Sequence, residues 1–298
     1  GVALTTGSSN TFFGYQAGDT STGVGQTLIG KTAGTGVTNQ NQCVAVGSDS
    51  DVDNYGVAVG HRAEVNAGYG ISIGWFAGDG SQGNNIAIGY NACRNIGSGS
   101  SGNTVVGGRS MYSVDGSNNV VFGASAFDTG GSGGGSGSDN VILGTGAGYN
   151  GSGNVLIGRD AGNTATLNNK LYIENSNSTT PLIYGEFDND LIRVNGDLEV
   201  KGYADVELGA SETFTIHDGT HDLFQVDTTT SGTLFSVNDV SGLPTFQSND
   251  DGSAVLPKIL TAAPTGTATE GTMQLAIVSG TCYLYVYING GWKRTTLT

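Results

Sequence analysis

One short phrase returns along the whole first half of the chain, and it limits what that half can become. It is cleanest as Asn85-Ile86-Ala87-Ile88-Gly89-Tyr90-Asn91-Ala92. It returns as Gly56-Val57-Ala58-Val59-Gly60-His61-Arg62-Ala63, as Asn140-Val141-Ile142-Leu143-Gly144-Thr145-Gly146-Ala147, and as Asn154-Val155-Leu156-Ile157-Gly158-Arg159-Asp160-Ala161. Ten copies centre on Gly14, Gly30, Gly47, Gly60, Gly74, Gly89, Gly107, Gly123, Gly144 and Gly158, at gaps of 13 to 21 residues. A fixed phrase at a loosely fixed period is the mark of a solenoid.

Aligned on its glycine, the phrase holds three other positions constant. The residue before the glycine is always a strand-forming apolar one, such as Ile29, Val59, Ile88 or Phe122. Three before, seven copies are aliphatic and three carry Thr11, Thr27 or Thr104. Three after, eight copies have Ala and two have Ser50 or Ser110. Positions minus three and minus one share a face of an extended strand, because side chains alternate with period two. The residue at minus two varies and is often apolar as well, as in Ala87, Val121 and Leu156, so both faces of these strands are expected to be covered. The glycine turns the chain, and the small residue after it opens a second strand in a narrow space. One coil cannot bury its own apolar face, so coils must stack. Ten coils at the spacing of paired strands make a column roughly 50 Å tall.

This pattern, apolar-x-apolar-Gly-x-x-Ala/Ser, resembles the head repeat of the trimeric autotransporter adhesins (YadA-like heads) over residues 8 to 166. The resemblance implies a parallel β-roll in each chain and three rolls about a threefold axis. The same repeat is similar to modules of bacteriophage tail fibres, and the rest of the chain distinguishes the two families.

Of the 52 glycines, 39 fall in the first 166 residues, so the composition shifts there. The expected domains are a β-roll over 1–166, a cap or neck over 167–200, β-shaft repeats over 201–256 and a small β tip over 257–298. No stretch sustains a helical period, so the fold class is all-β. A net charge of −15 argues against nucleic acid, which needs a basic surface. No apolar run reaches about 18 residues, so no membrane-inserting helix is expected. Cys43, Cys93 and Cys282 are scattered, without the spacing of a zinc knuckle or a disulfide framework, and read as small apolar fillers. The loop 130–138, nearly all Gly and Ser, reads as a mobile excursion. Asp49-Ser50-Asp51-Val52-Asp53-Asn54 starts like a calcium loop but lacks its central glycine and distal glutamate, and so reads as a solvated acidic loop. His61 follows a repeat glycine and reads as a loop residue.

Beyond the repeats, Asn168–Asn175, Pro181–Phe187 and Leu191–Val200 are short apolar runs closed by turn residues. They suit a cap over the last open coil edge. This stretch resembles the segment that follows such repeats in tail fibres of marine and cyanobacterial phages. Leu223-Phe224-Gln225-Val226-Asp227 returns as Leu234-Phe235-Ser236-Val237-Asn238, with a looser relative at Phe214 to Gly219. So few apolar side chains make a poor core for one chain, which predicts a β-shaft intertwined among three. Phe235 to Pro244 is similar to phage fibre shafts. Three strands are expected near the end, over 273–278, 282–288 and 292–297, with Asn289-Gly290 as a strong hairpin signal. This tip resembles the meander that closes many phage tail fibres.

The tip holds the candidate receptor-binding residues Tyr283, Tyr285, Tyr287, Trp292, Lys293 and Arg294. From Pro257 onward three basic residues (Lys258, Lys293, Arg294) face one acid, Glu270, so the tip is net positive in an acidic chain. Aromatic rings with basic neighbours stack on sugars and meet acidic glycan groups; the competing reading has the tyrosines packed against neighbouring chains. His217-Asp218-Gly219-Thr220-His221-Asp222 reads as a hairpin that splays its histidines, in preference to a metal site. No nucleophile elbow or spaced carboxylate pair points to catalysis, and no cofactor is implied. The resemblance therefore implies a non-enzymatic, homotrimeric phage tail fibre protein of the virion. Its partners would be tail or baseplate adaptor proteins and host surface polysaccharide or lipopolysaccharide. The alternative is a trimeric adhesin of the bacterial surface or an extracellular structural filament, binding through its head repeats.

Overall fold

The structure is a computed structural model that describes residues 7–35, 39–66, 68–80, 83–97, 99–130, 135–163, 166–202, 204–208, 213–217, 220, 222–227, 233–238, 244–249, 254–255, 263–268 and 273–297. Every regular element among them is a β-strand, and none is helical. The chain divides into two units, one ending at Glu199 and one beginning at Val200.

The first unit is built on a 13-stranded sheet. Ten of its strands are the ten phrases, from Thr11–Phe13 to Val155–Ile157. Each pairs in parallel with the next and in the same register, as in Ile86↔Thr104, Ala87↔Val105 and Ile88↔Val106. The result is a β-solenoid of about nine turns. Constant register across gaps of unequal length means that the loops, and not the strands, absorb the insertions.

Only one face of these strands is covered within the chain, contrary to the expectation of two. The minus-two residues Leu28, Ala45, Ala58, Ala87, Val105, Val121, Ile142 and Leu156 point into the coil and are buried. The recurring apolar positions at minus three and minus one point outward. Phe13, Ile73, Ile88, Val120, Phe122, Val141 and Leu143 are all exposed. Thus the variable column is the core, and the constant column is the outer face.

The small residue after the glycine is confirmed as a tight position. Ala33, Ala63, Ala77, Ala92, Ala126, Ala147 and Ala161 are fully buried. The continuous second strand expected beyond it does not form. Extended pairing occurs only between Asp51–Val52 and Glu64–Val65, and between Val114–Asp115 and Gly135–Ser136, among the described residues. Elsewhere the chain turns. The second residue after the glycine is left-handed whether or not a strand follows it: φ is 54° at Gln16, Thr32 and Arg62 and 55° at Asn91. The turns still stack by hydrogen bonds, such as Gly78 N–H to Ala92 O at 2.9 Å and Phe127 N–H to Ala147 O at 2.8 Å. Ala92→Leu is therefore expected to overpack this rail and cost about 1–3 kcal/mol. Thermal melting measures it, and an unchanged curve would refute the alignment of the repeats.

Two loops behave differently from expectation. Asp49–Asn54 is solvated only in part: Asp49 is exposed, but Val52 is fully buried, and Asp51 lies in a short strand with its carboxyl raised above the usual range by burial. In the glycine-serine loop, residues 131–134 lie outside the described residues. Gly135 and Ser136 pair with the rail, and Ser138 Oγ accepts from Ser117 N–H at 3.0 Å, so this part is held by the ladder.

After the last phrase, Lys170–Ile173 adds one more parallel strand. Ile183–Glu186 and Leu191–Val194 then continue the sheet antiparallel. This reversal ends the parallel ladder, with Tyr184 packed against the last of the coil core. Leu167 and Tyr172 belong to the same core as Leu156 and Ala161, and the first unit runs on to Glu199, so cap and coils form one body without a break at 166.

In the second unit, Thr213–His217, Asp222–Asp227, Thr233–Asn238, Pro244–Asn249 and Ala254–Val255 form a five-stranded antiparallel sheet in sequence order. The two expected repeat strands are both present, and Phe224 pairs with Val237. Asp218, Gly219 and His221 lie outside the described residues, as do 256–262 of the linker near Pro257. A separate three-stranded meander, Met273–Val278, Thr281–Ile288 and Gly291–Thr296, ends the chain.

Candidate functional site

The C-terminal meander turns twice on two residues. Ser279 and Gly280 have φ of 53° and 80°, and Asn289 and Gly290 have 53° and 72°. Paired left-handed residues match the right-handed twist of a hairpin. The turns fix the register, and the register sorts the six candidates. Tyr285 lies opposite Arg294, Tyr287 opposite Trp292, and Val286 opposite Lys293. Side chains alternate, so Trp292 and Arg294 share the face of Tyr283, Tyr285 and Tyr287. Lys293 lies on the other face, with Val286 and Leu284.

Five of the six candidates therefore come together. The Arg294 guanidinium sits 4.4 Å from the Tyr283 ring centre and donates to Tyr285 Oη at 3.3 Å. That bond favours the charged guanidinium, whose pKa is raised. Tyr287 meets Trp292 edge to face at 5.3 Å, and Trp292 Nε1 donates to Gly266 O at 3.2 Å. Tyr285 and Tyr287 are 4% and 5% exposed, so their ring faces are already covered. A ligand would meet Tyr283, half-buried Trp292 and the free edge of Arg294. The opposite face exposes Met273, Ile277 and Ile288.

A second aromatic group stands on the coils, where the sequence predicts only a loop histidine. His61, Trp75 and Tyr90 each follow the phrase glycine in successive coils. Their rings stack along the coil axis, with centres 6.4 Å apart for His61 and Trp75 and 5.1 Å for Trp75 and Tyr90. Phe76 lies between two guanidinium groups, Arg62 at 4.7 Å and Arg94 at 4.2 Å. The signal was present in the sequence: the phrase position just after glycine reads His, Trp, Tyr in three consecutive copies. It becomes visible only once the unequal gaps are known to be looped out. Tyr55 and Tyr69 form another exposed stack, 5.1 Å apart and 9° from parallel.

No family model, curated protein or solved structure matches this chain.

Proposed function

We propose that this chain is a non-catalytic fibre protein that works as a homotrimer, of the kind found in bacteriophage tail fibres, and that it adheres to host surface glycan. The observation that carries the reading is the outward column of recurring apolar residues on the coils. Val57, Val59, Ile71, Ile73, Ile86 and Ile88 stand in register on one sheet face, and Ile73 and Ile88 are exposed in the single chain. Monomeric proteins rarely keep so long an apolar strip in water, and burying each Val or Ile side chain fully is worth about 1.5–3 kcal/mol. Threefold packing of the coils covers the strip and closes the rod. An intertwined shaft in the second unit and an outer tip at the meander extend the same logic to apolar residues such as Met273 and Ile277.

Sedimentation equilibrium is expected to give three times the chain mass, and a folded monomer would overturn the reading. Ile73→Asp with Ile88→Asp is expected to release monomers whose strand signal in circular dichroism persists. Deleting residues 257–298 is expected to abolish attachment to host cells; full attachment would move the binding site onto the coils. That second reading, an adhesin whose repeats bind, is favoured by one observation, the aromatic and basic corner at coils around Gly60, Gly74 and Gly89.

A further inference from the structure

That corner carries a ligand site of its own. We infer that His61, Arg62, Trp75 and Tyr90, with the open space at Gly108, form a binding site for an acidic saccharide. The inference stands independently of the C-terminal meander. Four observations converge on it.

First, the rings are accessible. Trp75 is 50% and Tyr90 46% exposed, although each already stacks on a neighbour. Second, the stack stops abruptly. The next residue in the column after Tyr90 is Gly108, and a Cβ built there would meet nothing nearer than Tyr90 O at 3.9 Å. The column continues with Ala124, so the side of Tyr90 facing these two coils is bounded by small residues. A shelf of this kind, an aromatic floor beside bare backbone, suits the apolar C–H face of a sugar ring.

Third, several polar atoms around the shelf have no hydrogen-bond partner among the described residues. His61 Nδ1 lies 2.9 Å from Ser48 O. That carbonyl and the Asp49 carboxylate, 3.9 Å away, only accept, so Nδ1 carries a proton and Nε2 is the ring nitrogen left to a ligand. Among the described residues, neither Trp75 Nε1–H nor the Tyr90 hydroxyl has a hydrogen-bond partner, although the Arg109 guanidinium, paired with Asp128, interacts with Tyr90 through space. Such atoms on ring edges, one coil apart, pair with successive sugar hydroxyls. Fourth, Arg94, Arg109 and Arg159 each face a carboxylate, those of Asp79, Asp128 and Asp160, whereas Arg62 has none among the described residues. Its guanidinium is exposed and steadied only by the Phe76 ring. A guanidinium placed over a ring, with no carboxylate partner among the described residues, suits a carboxylate ligand. Hence the saccharide is one that carries a carboxylate, such as a uronic acid. A second copy of the chain would suit the bare apolar columns at minus three and minus one, but it would leave these four polar groups to be satisfied by chance.

The test uses the full-length protein. The chain has two tryptophans, so Trp292→Phe leaves Trp75 as the sole indole reporter. Adding oligogalacturonate to that protein is expected to change Trp75 emission saturably, and neutral cello-oligosaccharide is expected to act more weakly. Arg62→Gln is expected to reduce oligogalacturonate affinity about tenfold while leaving the neutral sugar unchanged. Gly108→Phe extends the stack over Tyr90 and is expected to abolish both responses. If Gly108→Phe fails to fold, the exposed Arg62→Gln decides alone. An absent emission change, wild-type affinity in Arg62→Gln, or a sedimentation coefficient altered by Arg62→Gln would each overturn the site. Trimerisation or meander-mediated attachment is measured separately, so their failure is distinguishable from failure here.

Discussion

Gly89→Ala is expected to destabilise the solenoid by at least about 4 kcal/mol, with a melting temperature lowered by roughly 10 °C or more. Two independent costs combine. Gly89 has φ of 137°, in a region essentially reserved for glycine, where other residues cost about 1–3 kcal/mol. A Cβ there would also stand 2.5 Å from Gly107 O and 2.6 Å from Gly107 C. Those atoms belong to the ladder of the next coil, so no rotamer change relieves the overlap. Moving them would break Gly107 N–H to Ile88 O, a 2.8 Å bond. The same geometry recurs along the column: Gly144, with φ of 153°, would place its Cβ 2.2 Å from Gly158 O. Gly108→Ala supplies the control. Its nearest neighbour is 3.9 Å away, and surface changes of this kind stay within about 0.5 kcal/mol. Equal melting temperatures for the two variants would mean that the coil register is wrong.

Asn119→Leu is expected to cost about 3–5 kcal/mol, despite replacing a polar buried group with an apolar one of similar size. Asn85, Asn103, Asn119, Asn140 and Asn154 occupy the position four before the glycine in successive coils, and all are buried. They form a continuous ladder. Asn119 Nδ2 donates to Asn103 Oδ1 at 3.0 Å and to Gly137 O at 2.9 Å. Asn119 Oδ1 accepts from Asn140 N at 3.1 Å and Asn140 Nδ2 at 2.9 Å. Leucine deletes all four bonds and strands the Gly137 carbonyl, the Asn140 backbone N–H and one of the two Asn140 Nδ2 hydrogens, the other still donating to Gly151 O at 2.9 Å. Each buried orphan costs about 1–3 kcal/mol, which the added apolar contact offsets only in part. Chemical denaturation of wild type and variant measures the difference. A loss under about 1 kcal/mol would show that water reaches these groups.

The ladder was written in the phrase itself, since the copies at Gly89, Gly144 and Gly158 open on Asn85, Asn140 and Asn154. What the letters alone did not convey is the chemistry, because an asparagine before a strand reads equally well as a turn residue. The same holds for the six C-terminal candidates. Alternation alone puts the three tyrosines on one face, yet placing Trp292 and Arg294 with them and Lys293 behind needs the register set by Asn289 and Gly290.

By its letters alone the chain determined that it is all-β, where the phrase strands lie, and which positions admit only Gly or a small residue. Those are local demands: a φ that excludes Cβ, a two-residue alternation, a rail with no room beyond alanine. Which face of each strand looks inward was decided only by the tertiary structure. Alternation is symmetric, and both faces are apolar, so nothing short-range distinguishes them. The closing of the coil broke the tie: the chain wraps on the side of Ala87, Val105, Ile142 and Leu156, which are buried, and leaves Ile73 and Ile88 outward. By looping out unequal gaps, the same stacking brought His61, Trp75 and Tyr90 into one column.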